Sequence, residues 1–472
     1  MGRRARKRSM MRPLVEELAE WSAAVSSDDL PPAVQAATRR LLLDALGNAV
    51  AGQRAPALPA LVAEMASWAG SGRATVTGWR GSLPAPLAAA ANGAMIHAWE
   101  FDDVHDAGVV HCTAPVVPAV LAAAEQAGGA AGREALAATA VGVEVVARLG
   151  LAVGPLVGFE RSALCGAFGA AAAASRVMCL GPAATASALG LVYSRCAGHR
   201  LGIAEAVWTK RWQMGLAAEG GVTAALLAAR GLAAARQVLE GPFGLFDAYA
   251  RGRARPEVLL SDLGQRWETT RVSLKPYPCC RFVHPAIEAA MEVAQRLNGR
   301  RIKKISVEIP RAEMLTLIAA RAPATGEPLV RRQFSLAWCV AAALQTREFT
   351  LDLLAREGPN GSTETLADSV EIVYGPPPAA PLDFVPMRVA VHLDDGAVLE
   401  ARCDLPPGDP ARPISAQALR QKVERSVAFA GRSPADADSL AGLLEGLEAL
   451  PDIRVLSVWL AGPEGEDRCG AP

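Results

Sequence analysis

From residue 13 to about residue 260, apolar positions recur three or four apart, as at Leu42, Leu46 and Ala49. That spacing lays one stripe along one face of a helix, so the predicted elements are helices, punctuated by Gly and Pro. The run GAFGAAAAAS at residues 166–175 has almost no side-chain bulk. A helix made from it is expected in the middle of a bundle, where neighbours approach closely. Near Thr270 the period changes. Ile305, Val307 and Ile309, then Val370, Ile372 and Tyr374, alternate with polar residues as half-buried strands do. Residues 388–393 and 397–403 flank Asp394, Asp395 and Gly396, a turn sequence that tolerates positive φ and predicts a hairpin. Helical patterns at 285–297 and 333–345 lie between these strands, and after the Pro-rich stretch at 406–413 the texture is helical again. The pattern predicts a helical unit at 13–267, a smaller α+β unit at 268–405 and a helical segment at 406–472 that returns to pack on the first.

Composition narrows the class. With 472 residues, 51% of them hydrophobic, the chain can bury a large core. Lys plus Arg equals Asp plus Glu at 48 each, which gives no electrostatic case for nucleic acid or an anionic membrane. The basic start, MGRRARKRSMMR, lacks an apolar h-region and reads as a frayed tail or an upstream start, with Met10 or Met11 the natural beginning, rather than a secretory signal. Nine scattered cysteines without a C-x-x-C pair point to reduced thiols and a cytoplasmic location, with neither a disulfide framework nor a zinc site. Glu144, Arg148 and Arg176 interrupt the apolar runs, so a soluble chain without a membrane span is expected.

The densest chemistry is NGAMIHAWEFDDVHDAGVVH at residues 92–111, which places His97, His105 and His111 among Glu100, Asp102, Asp103 and Asp106. Such a cluster suits proton transfer or metal binding. His97 and Glu100 are spaced as ligands on one helix face, but His97 stands in an apolar phrase and reads as a hydrogen-bonded core histidine, so no metal is expected. His111 follows GVV and precedes CTAPVVPA, where Pro115 and Pro118 open a helix, a setting that can hold a ring at a helix N-terminus facing a cleft. A loop histidine bonded to backbone is the plainer alternative. No P-loop, dinucleotide fingerprint or serine-hydrolase elbow is present.

The phrases LLLDALGNAVAG, AAAANGAMIHAWEFDDVH, HCTAPVVPAVLAAAE, GAFGAAAAASRV, TKRWQMGLAAEGG and KPYPCCRFVHPAIEAA occur in that order. Together they resemble the MmgE/PrpD family, which includes 2-methylcitrate dehydratases, cis-aconitate decarboxylases and iminodisuccinate epimerases. The resemblance runs from about residue 14 to about residue 460. It implies a mainly α fold, with a large all-helical domain built from both chain ends, an inserted smaller α+β lid, and a homodimer. It also implies action on small di- and tricarboxylates without metal or organic cofactor. Carried over by motif, His111, Lys210, Lys275 and Asp103 are the implied catalytic residues, and His284 follows the CCRFV phrase. Glu100, Arg161, Arg211, Arg281, His284 and Trp338 are the candidate substrate-binding residues. The chemistry agrees with the list: proton removal next to a carboxylate, or loss of CO2, builds charge on an anion, so fixed cations must hold the acid groups while a histidine handles the proton.

Four positions depart from the family pattern. Glu160 stands where relatives place a second histidine, Glu100 replaces an aspartate, Val104 a threonine and Trp338 a tyrosine. Glu160, partly desolvated, can serve as a base or pair with Arg161 or Lys210, and its charge disfavours a tricarboxylate. The expected activity is a cofactor-independent lyase resembling 2-methylcitrate dehydratase. An isomerase, epimerase or decarboxylase of a related acid is the alternative, and a non-catalytic ligand-binding relative is the reading from another class.

Overall fold

In the computed structural model, residues 12–154, 156, 158–310, 318, 325–356, 361–375 and 386–462 are described. The basic run at residues 3–8 lies outside them. The first part of the chain forms α1 (Leu14–Ala24), α2 (Pro32–Gly52), α3 (Leu58–Ala69), α4 (Ala85–His97), α5 (Thr113–Ala127), α6 (Gly132–Val153), α7 (Arg161–Val177), α8 (Pro182–Val192), the single turn α9 (Leu201–Ala204) and α10 (Thr209–Ala229). A two-stranded ribbon, β1 (Ala74–Thr75) and β2 (Ser82–Leu83), precedes α4. Short helices α11 (Leu245–Ala250) and α12 (Glu257–Leu260) close this part. Proline at the first turn starts α2, α4 and α8, where its missing N–H leaves no bond unmade.

Small residues set how the central helices cross. α7 packs between α6 and α10, and α4 lies against α10. At that second crossing a Cβ on Gly215 of α10 would fall 2.2 Å from the carbonyl oxygen of Ala90 in α4, so the two backbones touch there. α6 is long and apolar enough to cross a membrane, yet 94% of its apolar window is buried in the core. Its two buried charges meet each other, Arg148 Nε donating to Glu144 Oε1 at 2.6 Å, while Glu144 accepts the N–H groups of Glu268 and Thr269 at 3.0 Å. A buried pair with its remaining valences satisfied is tolerated.

The α+β part begins with α13 (His284–Arg296) and β3 (Ile302–Pro310), continues through α14 (Pro328–Phe334), α15 (Leu336–Thr346), α16 (Leu351–Ala355) and α17 (Gly361–Asp368), and ends in β4 (Val370–Gly375), β5 (Met387–Leu393) and β6 (Val398–Cys403). The sheet order is β4-β3-β5-β6. β3 pairs parallel with β4, Val307 opposite Ile372, and antiparallel with β5, Val307 opposite Val389. The hairpin joins β5 to β6 through Gly396 at φ 88°, a conformation open to glycine. The chain then returns as α18 (Ala416–Phe429), α19 (Pro434–Glu445) and α20 (Arg454–Ala461), with α18 and α19 packed on α2. Ser415 caps α18 through the N–H of Ala418. The molecule is mainly α with a small α+β part.

Among the described residues, two apolar cores result. One joins α1, α2 and α5–α8 to the returning helices, through residues such as Leu41, Phe168 and Val423. The other joins α4 to the sheet and its helices, through Met95, Ile287, Val340 and Val389.

Candidate active site

His97 is the last residue of α4, and the chain after it cannot continue as helix because Glu100 takes φ 52°. That left-handed backbone is strained for a residue with a Cβ. The loop from 98 to 112 then folds back on the N-terminus of α5. Lys210 is the second residue of α10, whose crossing with α4 carries its ammonium to the end of that helix. The result is a packed set of charges. Lys210 Nζ donates to His97 Nε2 at 2.6 Å and to Glu100 Oε1 at 2.5 Å, and it lies 3.4 Å from His111 Nε2. Lys275 Nζ donates to the Glu100 carbonyl at 2.9 Å and lies 3.4 Å from Glu100 Oε2.

Asp102 orients both imidazoles. His97 Nδ1 meets its carboxylate at 2.9 and 3.0 Å, and His111 Nδ1 meets it at 3.2 Å while donating to the Asp103 carbonyl at 2.8 Å. Because Nδ1 of His111 faces acceptors, its proton belongs there and Nε2 keeps its lone pair, whereas His97 meets carboxylates on both sides, with Nε2 also 3.2 Å from Glu100 Oε1. The rings stand edge to face with centroids 4.4 Å apart.

Burial alone would push Glu100 and Asp102 up, but their cationic neighbours prevail. Lys210, His97 and Lys275 hold Glu100 well below the usual carboxylate range, and the two histidines do the same for Asp102. Lys275 is buried, which favours the neutral amine, yet Glu100 and Asp102 hold its pKa above the ordinary lysine value. His111 is lowered by burial, with Lys210, His97 and Lys275 pushing the same way against Asp102. Its imidazole is therefore neutral near pH 7.

His111, Lys210 and Glu100 open onto a cleft of about 620 Å³, counted out to its mouth. Glu160, Arg161 and Ser162, at the start of α7, form another wall, and Arg200, Arg281 and Phe334 add to the polar and aromatic lining. Glu160 caps α7 through the N–H of Ser162 at 3.4 Å. Arg161 donates to the Gly108 carbonyl at 2.7 Å, and Arg281 lies 3.5 Å from Asp106. Among the described residues, four cationic side chains against two carboxylates leave the lining with a surplus of two positive charges. The cleft is built to receive a small anion.

The sequence-predicted residues fall into three groups. His111, Glu100, Glu160, Lys210, Arg161 and Arg281 line the cleft, and Lys275 lies directly behind Glu100. Asp103 does not face the cleft. Its two oxygens accept the N–H groups of Cys112 and Thr113 at 3.0 Å, together with the Thr113 hydroxyl, so it caps α5. Arg211 is buried between Trp208 and Phe334 and donates to Gln333, while Trp338 packs in α15 beneath Arg332. His284 is buried against Arg281 and Tyr277, and burial pushes its imidazole well below the ordinary histidine value.

Sequence reasoning named Asp102 in the acidic cluster without giving it a site role, and read His97 as a core histidine. His97 is fully buried, as expected of a core histidine, but its ring links Asp102 to Lys210. The i, i+5 spacing from His97 to Asp102 was the available signal. Arg200 on the cleft wall had none.

By ligand type, His97, Asp102 and His111 present donor atoms within 4.8 Å of one another. The Nδ1 protons already bond to acceptors, and two ammonium groups border the same cluster. A divalent cation there would meet like charge, so the donor set suits proton transfer better than metal binding.

Comparison with known proteins bears on this cleft. Residues 16–257 match the MmgE/PrpD N-terminal domain and residues 277–441 the MmgE/PrpD C-terminal domain. A cis-aconitate decarboxylase-like protein of Aspergillus oryzae is 28% identical over 433 residues, covering 86% of this chain and 89% of that protein. The cis-aconitate decarboxylase of Homo sapiens is 29% identical over 478 residues, 96% of each chain. That of Aspergillus terreus is 31% identical over 320 residues, 63% of this chain and 65% of the enzyme.

Proposed function

The chain belongs to the MmgE/PrpD family and is a lyase acting on a small carboxylic acid, and from that premise we propose that it removes CO2 from an unsaturated polycarboxylate of the cis-aconitate type. The observation that carries the reading is the meeting of His111 Nε2 and Lys210 Nζ, 3.4 Å apart, on the wall of a cleft with surplus positive charge. Relatives named cis-aconitate decarboxylase, similar over most of the chain, support the same class.

The residues suit the steps. Arg161, Arg200 and Arg281 hold the carboxylates that remain. The carbon–carbon bond to the leaving carboxylate breaks, CO2 departs, and the electron pair spreads through the adjacent double bond onto a second carboxylate. Lys210 and Lys275 stabilise that developing charge. His111, neutral in the free enzyme near pH 7 and protonated once the anion is bound beside it, gives its Nε2 proton to the allylic carbon and recovers one from solvent, so each turnover consumes one proton. Lys210, beside the same nitrogen, is the route for its return.

Glu160 favours a second reading. It lines the cleft with His111 but reaches it from the start of α7, the arrangement a hydro-lyase needs when a base takes a proton next to a carboxylate and an acid assists the departing hydroxyl. This would be dehydration of a 2-methylcitrate-like acid. Incubation in D2O with cis-aconitate, 2-methylcitrate, citrate and an aminosuccinate, followed by NMR, separates the readings. Release of CO2 with one deuterium in the product is expected. Loss or gain of water without CO2 would replace the first reading by the second, exchange without net conversion would indicate an isomerase, and no change in any acid would overturn both lyase readings.

A further inference from the structure

Glu100 and Asp102 do their work from a strained turn, and the Glu100 backbone at φ 52° needs an external restraint. Two ammonium groups supply it at successive carbonyls. Lys275 donates to the Glu100 carbonyl at 2.9 Å, and Lys422 donates to the next carbonyl, that of Phe101, at 2.6 Å. Lys422 comes from α18 in the returning C-terminal segment, 321 residues further along the chain. Its Nζ also lies 3.8 Å from the centre of the Phe101 ring and 2.5 Å from Asp44 Oδ1 on α2. Asn48 steadies Asp44 by donating to its other oxygen at 2.9 Å.

We propose that Lys422 is a positioning residue: it clamps the Phe101 carbonyl and ring so that Glu100 on one side and Asp102 on the other keep their contacts with Lys210, His97 and His111. Lys422 and Asp44 do not line the cleft, so neither touches substrate. The plainer account is a buried ion pair that cements α18 to α2. That account explains the contact with Asp44 but not the two contacts with Phe101, which lies between the two acidic residues of the site. Its ammonium donates to the Phe101 carbonyl, faces the Phe101 ring and pairs with Asp44, so two of these three contacts serve the turn. The family's two-domain division does not explain why the chain returns here, and the clamp offers a reason: the last helices complete the active-site loop.

The proposal rests on the cleft being the active site, but its test need not. The probe is the titration of His111, followed by imidazole NMR in the full chain, which holds six histidines. Asp102 raises the affinity of that ring for its proton, whereas Lys210, His97 and Lys275 lower it. If Lys422→Met lets the turn move and Asp102 retreat, His111 titrates lower than in the wild type. If Lys422 mattered only as a charge, removing a cation would move His111 upward. Asp44→Asn keeps the ammonium on Phe101 and is expected to lower the melting temperature with little effect on His111. A lone buried carboxylate endangers folding of Lys422→Met, so the neutral pair Asp44→Asn/Lys422→Met is the second arm and should give the same downward shift. With a turned-over acid, the two variants lacking Lys422 should lose at least about tenfold in kcat with KM within about threefold, as a displaced catalytic geometry does. An unchanged or raised His111 titration in both, or an equal shift in Asp44→Asn, would overturn the clamp. A wild-type protein without turnover but with the NMR shift would overturn the assigned reaction and leave the clamp standing.

Discussion

At the residue scale, the site depends on which nitrogen of His111 holds the proton. Nδ1 is committed to the Asp103 carbonyl and Asp102, so chemistry runs through Nε2. His111→Ala should cut kcat by roughly 100-fold or more with the fold intact, as loss of a positioned acid or base does; steady-state kinetics with near-wild-type turnover would remove it from the mechanism. The pH profile distinguishes its two possible roles. A ring that donates its proton works below its pKa, and since burial lowers that pKa beneath about 6.5 in the free enzyme, kcat/KM should fall as pH rises through this acidic value. A ring acting as base gives the opposite limb, rising with pH, and that outcome would favour dehydration. Glu160→Gln should leave decarboxylation within about threefold if the carboxylate only caps α7, and should cut it by about 100-fold or more if it moves a proton, read from the same kinetics. His111, Lys210, Glu100 and Lys275 were legible because their motifs are distinctive. Asp102 and Asp103 are adjacent and chemically alike, and only the turn of the loop sends one to the histidines and the other to the end of α5.

At the element scale, distance between helices sets distance between reacting groups. His97 ends α4 and Lys210 begins α10, and both are held by the close crossing at Gly215. Gly215→Ala must move one backbone off the other, since the contacted atom is a carbonyl oxygen and not a yielding side chain. The expected loss is about 1–3 kcal/mol of stability, the usual effect of overpacking. Activity of the folded fraction should fall too; denaturant unfolding paired with kinetics checks both, and unchanged values would show that the crossing can relax. Apolar periodicity made the helices and the hairpin readable, because burial on one face imposes a period of 3.6 or 2. Which helices would touch was not readable. Glycine and alanine permit close approach without specifying a partner.

At the scale of the whole molecule, burying ionisable groups ties stability to pH. His111 and His284 bind protons less readily in the folded chain than unfolded, so the stability they contribute is present above about pH 6.5 and is lost as pH falls below it. Each histidine contributes a slope of up to about 1.4 kcal/mol per pH unit. The lowered carboxyls of Glu100 and Asp102 act in the same direction at more acidic pH, while the raised ones of Asp44 and Asp103 offset part of the loss. Calorimetric melting temperatures should drop from pH 7.5 to 5.5, and His284→Phe should flatten the dependence; an equal slope in that variant would show that His284 is not a source. The second core also spans the boundary between helical and α+β parts, since Met95 of α4 packs in one apolar cluster with Ile287 and Val389. A split read from a change of period does not reveal a shared core.

The sequence by itself determined the mainly α character, the strand alternation near Thr270 and the types of group needed to hold an anion and move a proton, because these follow from local spacing and side-chain chemistry. Tertiary structure alone decided that residues 97, 102 and 422 join 100, 111, 210 and 275 in one network. Their couplings span up to 321 residues and depend on one strained turn and one glycine-tight crossing, and no local pattern encodes the direction in which such a turn points.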